Sequence, residues 1–266
     1  MIKNLGSVPF LNSKPLTYLF DIGAYDNYKT QLLFPSDLLN SLINKQNFLS
    51  LLSIADHLSD SRVVSLNDYC ISSEGKVDSV VLVATSDIKD LERVYLDPIS
   101  KSANLLYKVI QEDFIKKKVE YDYLRPDIAN NYQMNTGQVI IGDLALKFLS
   151  QRPGGMKIYD LSELWYLETS LPFTFATFNY YLNKPNPNEI KLIHDSFISG
   201  MSNIDNILKD FTTKYESKVD SKLIETYLNE RIIYKLTEKH LDGINLFHEL
   251  SAKFAKWEKR SFNNIL

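Results

Sequence analysis

The sequence predicts a two-lobed α/β fold, and three features of it carry that expectation. Short apolar runs alternate with helix-start signals through the first 85 residues, which is the pattern of a sheet flanked by helices. The same grammar restarts at Val94–Leu96, as it would at the opening of a second sheet. From Glu189 onward the spacing of apolar residues is helical and amphipathic, as in helices packing back on a core.

Taken in order, Leu5–Leu11 reads as a strand running into a loop. Ser13-Lys14-Pro15 then supplies an N-cap and a proline for the first turn of a helix. Leu32–Phe34 reads as a second strand, followed by Pro35-Ser36-Asp37 and a helix patterned by Leu38, Leu39, Leu42 and Ile43. Leu49–Ile54 and Tyr69–Ser72 read as short strands, and the β-branched run Ser79–Thr85 as one buried on both faces. Ser100 caps a helix expected to reach about Lys117, Val139–Ile141 is a further buried strand, and Pro153-Gly154-Gly155 is a turn. Leu171–Phe178 reads as a strand returning to the first lobe, and the proline-rich stretch Asn183–Asn188 then punctuates the chain. The expected division is residues 1–84 and 178–266 in lobe I, with the C-terminal helices, and residues 85–177 as an inserted lobe II. Ligands of such a fold bind in the cleft.

Composition narrows the class. With 44% apolar and 24% charged residues in 266, the chain is neither disordered nor fibrous. The apolar run Val80–Ala84 falls far short of the roughly 20 residues of a membrane span, and no secretory pattern is evident near the start, so a cytoplasmic, non-membrane protein is expected. The lone cysteine, Cys70, rules out an intramolecular disulfide and any multi-cysteine metal cage, and reads as a buried small hydrophobe. A net charge of −3 argues against nucleic acid as a partner.

Several reaction classes lack their signatures. None of the nine glycines forms a dinucleotide or P-loop motif. His248-Glu249 does not continue as a zinc motif, because Ala252 stands where the second histidine belongs. No serine sits in a nucleophile elbow. What remains are small polar clusters at expected strand-to-helix junctions: Asn12-Ser13-Lys14, Pro35-Ser36-Asp37, Ser72–Gly75, Ser79, Ser100-Lys101-Ser102 and Thr169-Ser170. Free backbone N–H groups at such junctions bind carboxylates and phosphates, so an anionic ligand is expected; each junction taken alone also reads as an ordinary N-cap.

These same residues carry a resemblance that runs nearly end to end. Gly6-Ser-Val-Pro-Phe-Leu-Asn-Ser-Lys-Pro-Leu16 and Ile71-Ser-Ser-Glu-Gly-Lys-Val-Asp-Ser-Val80 are similar to two specific motifs of the chorismate dehydratases of the futalosine route to menaquinone. Leu96–Ser102, Ile141–Leu146, Tyr159-Asp-Leu161, Trp165 and Leu171–Ala176 follow the same family pattern, as does the tail from Tyr227 through Tyr234, Leu236 and Gly243. The chain departs from the pattern at Lys101, where arginine is common, at Glu74, Ala103 and Phe178, and around Ala55-Asp56. Lysine cannot reproduce arginine's bidentate fork.

The resemblance implies a type 2 periplasmic-binding-protein-like fold and a cofactor-free, metal-free lyase that removes water from chorismate. It implies Asn12 and Ser79 as catalytic residues in the cleft. Ser13, Ser36, Ser73, Ser100, Lys101, Ser102, Asp143 and Thr169 are the expected substrate contacts. Neither an amide nor a hydroxyl is a good base at neutral pH, so the substrate's own enolpyruvyl carboxylate is the expected proton acceptor, with Asp143 as the competing candidate. An aspartate placed after a buried strand also reads as the cap of the next helix. The alternatives are the sister dihydroxynaphthoate synthase on the same fold and a non-catalytic binder of small anions.

Overall fold

The computed structural model describes residues 2–125, 133–151, 154–215, 218–255 and 257. Its first half opens with β1 (Lys3–Ser7), α1 (Lys14–Asp21), β2 (Tyr28–Leu32), α2 (Pro35–Ile43), β3 (Leu49–Ser53), α3 (Ile54–Ser59) and β4 (Val63–Ser73). Prolines in the first turns of α1 and α2 set the entry dihedrals at positions where the missing N–H costs nothing. The chain then crosses into β5 (Val80–Ala84), β6 (Arg93–Leu96), α4 (Lys101–Val109), β7 (Glu120–Tyr123), β8 (Thr136–Ile141), α5 (Gly142–Gln151), β9 (Lys157–Asp160) and α6 (Leu161–Thr169). It returns through β10 (Phe173–Tyr181) and ends in α7 (Pro187–Ser202), α8 (Ile204–Lys214), α9 (Ser221–Thr226), β11 (Ile233–Lys235) and α10 (Glu238–Ala255).

Two sheets result, a six-stranded one in the order β11-β4-β10-β3-β1-β2 and a five-stranded one in the order β7-β6-β8-β5-β9. In the first, β1 lies parallel to β2 and β3 while β10 runs antiparallel to β3 and β4. In the second, β5 is antiparallel to both β8 and β9. This is the fold of the periplasmic-binding-protein class.

Five expectations shift. The second sheet takes Val80–Ala84, and the first takes all of β10 from Phe173, so the sheets change hands at about 74–79 and 161–172 rather than at 84 and 177. An apolar strand signals burial but not which sheet buries it. The strand expected at Tyr69–Ser72 runs from Val63, held between β10 and β11, and the one expected at Leu32–Phe34 is β2, drawn N-terminally by its register with β1. The helix expected to reach Lys117 stops at Val109 and passes into a π-turn, Ile110–Phe114. The tail is not wholly helical either, since β11 pairs with β4 and covers what would be an open edge. Of the expected turn, Gly154 and Gly155 form one, while Pro153 lies outside the described residues.

An aromatic knot ties the lobes together. Trp165 of α6 meets Phe173 of β10 at 5.6 Å and Phe247 of α10 at 6.1 Å, and the two phenylalanines meet at 5.0 Å, all edge to face. Each such pair contributes on the order of 1 kcal/mol beyond area burial. On the outer side, α7 seats against α1 because Gly200 has no side chain: a Cβ there would stand 2.2 Å from the Pro15 carbonyl. No helix among the described residues is long and apolar enough to cross a membrane.

Candidate active site

A cavity of about 80 Å³ lies between the two sheets. From the first sheet it is walled by the loop after β1 with Phe10 and Asn12, by Pro35, by Ser53 and by Phe175 and Ala176 of β10. Ser79 and Val80, Ser100 and Ser102, and Ile141 and Gly142 wall it from the second.

Four of these positions are helix beginnings. Pro35 opens α2, Ser53 caps α3, Ser100 caps α4 and Gly142 opens α5. The Ser53 hydroxyl accepts from the Asp56 amide at 3.2 Å, and Ser100 does the same for Ala103 at 3.3 Å. Helix N-termini carry the positive end of the macrodipole, which here faces a cavity with no cationic side chain among its described lining residues, although several of the terminal N–H groups are already capped and α2, α3 and α5 each hold an aspartate in the first turn. Among the described residues, none that lines the cavity is ionisable. Gly142 is needed at its place: its φ is +63°, and a Cβ would meet the Phe10 ring at 3.0 Å.

Asn12 sits in a single 3-10 turn, Leu11–Ser13, that is pinned from several sides. The Ser13 hydroxyl donates to the carbonyls of Val8 and Phe10 at 2.8 Å each, the Leu11 amide donates to Asp143 at 2.9 Å, and the Tyr234 hydroxyl donates to the Asn12 carbonyl at 3.0 Å. Ser79, at the start of β5, accepts from the Tyr227 hydroxyl at 3.0 Å. Burial holds the Tyr227 phenol far above its ordinary range, so it stays a donor.

Of the expected site residues, Asn12, Ser79, Ser100 and Ser102 meet at this cavity and the other six do not line it. Ser13 is spent inside its own turn. Ser36 is exposed on α2, where the cavity takes Pro35 instead. Ser73 shares a hydrogen bond with Ser162 at 2.7 Å, away from the cavity. Lys101 turns aside to the buried Asp56 at 2.6 Å. Asp143 is occupied by the Leu11 amide and, at 3.3 Å, by the Tyr215 hydroxyl, and burial raises its pKa. Thr169 donates to the Trp165 carbonyl at 2.8 Å and closes the end of α6.

Two participants were missed in the sequence. Ser53 had a signal, because Ser53-Ile-Ala-Asp56 after an apolar run is a helix-start pattern. Tyr227 had none of its own, since its place in the apolar spacing of the tail reads as core packing.

Two sheets that clasp a small cavity between them define a binding-protein-like architecture. It is shared, for example, with the periplasmic aliphatic sulphonate binding protein SsuA from Escherichia coli, at a TM-score of 0.70 and 15% identity over 100% of this chain and 97% of that one, a likeness of fold. The chain belongs to the menaquinone biosynthesis family, which it matches over residues 3–253. It is similar to the chorismate dehydratase of Campylobacter jejuni subsp. jejuni serotype O:23/36 (strain 81-176), 27% identical over 248 residues that cover 91% of this chain and 94% of that protein. It is also similar to the chorismate dehydratase of Thermus thermophilus, 27% identical over 199 residues, 69% of this chain and 71% of that protein.

Proposed function

We propose that the protein is a chorismate dehydratase, a hydro-lyase that converts chorismate to 3-(1-carboxyvinyloxy)benzoate and water. The observation that carries the reading is the placing of Asn12 and Ser79 on one cavity that is ringed by helix N-termini and lined, among the described residues, by no ionisable side chain. Such a site suits a dianionic substrate that brings its own base.

In this reading the carboxylates settle at the N-termini of α2, α4 and α5, where each charged hydrogen bond contributes on the order of 1.5–3 kcal/mol. The enolpyruvyl carboxylate, stripped of water, takes the C3 proton. The C3–H electron pair becomes the new ring double bond as the C4–O bond breaks, and the leaving hydroxide with that proton makes the water released. Aromatisation drives the step, and the protein supplies alignment and exclusion of solvent. Asn12 and Ser79 hold the reacting groups in line.

Mass spectrometry of the purified protein with chorismate tests this. The expected product has lost one water and kept the enolpyruvyl group, and the Asn12→Ala enzyme forms it on the order of 100-fold more slowly. Unchanged chorismate together with a raised melting temperature would mark a non-catalytic binder instead.

A further inference from the structure

Tyr227 and Tyr234 come from the C-terminal segment, yet both reach the turn and strand that carry Asn12 and Ser79. Tyr227 opens a π-turn, Tyr227–Arg231, directly after α9. Turns of this kind are rare and gather at functional sites. The Tyr227 side chain is buried, and its hydroxyl gives its one proton to Ser79 Oγ at 3.0 Å. A serine hydroxyl that accepts on its lone pair still has its own O–H to donate. Asn12 lines the cavity together with Ser79 and interacts with the same phenol, while its Oδ1 is buried and has no partner among the described residues. An unpaired buried acceptor on a cavity wall is costly, and a ligand donor repays it.

We infer that Tyr227 is a positioning residue that sets the polarity of the site: it turns Ser79 into a hydrogen-bond donor and Asn12 Oδ1 into an acceptor toward the cavity, a pair that grips one substrate hydroxyl from both sides. The inference deepens the dehydratase reading and rests on it for the hydroxyl's identity, the C4 hydroxyl that leaves. Ser79 O–H meets the oxygen on which negative charge develops, and Asn12 Oδ1 accepts a hydrogen bond from that hydroxyl in the bound state. A carboxylate would face Oδ1 unfavourably, so the acid groups belong at the helix N-termini. The dehydrated product lacks the hydroxyl and loses both bonds, which favours its release.

The test is the Tyr227→Phe enzyme, which keeps the ring and removes the O–H alone. With chorismate, kcat is expected to fall on the order of 100-fold while KM stays within about threefold, since the lost alignment matters most as the C–O bond breaks. A high-resolution crystal structure of the variant is expected to show Ser79 or the Asn12 amide rotated from its wild-type setting. Unchanged kcat, or a loss carried equally by KM and melting temperature, would overturn the inference. Should the wild-type protein leave chorismate untouched, the function reading fails. The structural comparison still decides the role of Tyr227, and Ser79 and Asn12 unmoved in the variant would overturn that too.

Discussion

Asp143 shows how one residue's role turns on which neighbours claim it. Its carboxylate spans the two lobes, taking the Leu11 N–H from the loop after β1 while sitting in the first turn of α5. Burial raises its pKa, as a general base would need, but its oxygens already serve Leu11 and Tyr215 and it does not line the cavity. Its position argues for holding the Asn12 turn in place. Asp143→Asn is therefore expected to keep turnover within about tenfold, since an amide oxygen still accepts from Leu11. The check is the pH profile of kcat. Loss of both activity and a perturbed-carboxylate limb in this variant would make Asp143 the base. Legibility at this scale was uneven: Asn12 and Ser79 stand in specific motifs, whereas Ser73 and Ser13 look equally polar in sequence and are used up by Ser162 and by local carbonyls.

At the scale of elements, the C-terminal segment is what sequence pattern understates. Its apolar spacing foretells packing helices, yet it also supplies β11 to the first sheet and two tyrosines to the site. The start of α10 carries a titrating group. His240 is buried, and its Nδ1 receives the Thr237 N–H at 3.3 Å and lies 2.7 Å from the Thr237 hydroxyl, an arrangement made for neutral imidazole. Burial lowers its pKa below the ordinary imidazole value of 6.5; Glu74 opposes and Lys239 pushes the same way as burial. Below pH 6.5 the unfolded chain then binds a proton the folded one resists. The contribution to stability is present above about 6.5 and is lost as pH falls through the folded pKa. Urea denaturation at pH 7.5 and 5.5 is expected to show a smaller acid loss in His240→Gln than in the wild type, and equal losses would refute it.

For the whole molecule, contacts between the lobes hold the two walls of the cavity together. Lys101 of α4 pairs with Asp56 of α3, and beside it Ser102 Oγ accepts from the Ala55 amide at 3.0 Å. Asp56 is 2% exposed, so removing its cation leaves a buried carboxylate with the Ser53 hydroxyl as its remaining side-chain partner. Lys101→Ala is expected to lower unfolding free energy by on the order of 1–3 kcal/mol and to weaken the thermal shift produced by chorismate. An unshifted urea midpoint with a full ligand response would show that the clasp contributes nothing. This also recasts the departure from arginine at 101: a single ion pair to one carboxylate oxygen needs a point charge rather than a fork.

Local chemistry was enough to foretell the α/β class, most strands and the helix starts, because periodicity and capping are properties of neighbouring residues. Motif identity pointed to Asn12 and Ser79, and both line the cavity. Four matters were decided only by folding: the sheet that owns Val80–Ala84, the strand β11, the diversion of Lys101 to Asp56, and the arrival of Tyr227 at Ser79. Each depends on contacts between residues far apart in the chain, 148 positions apart for the last, and no window of sequence contains both partners.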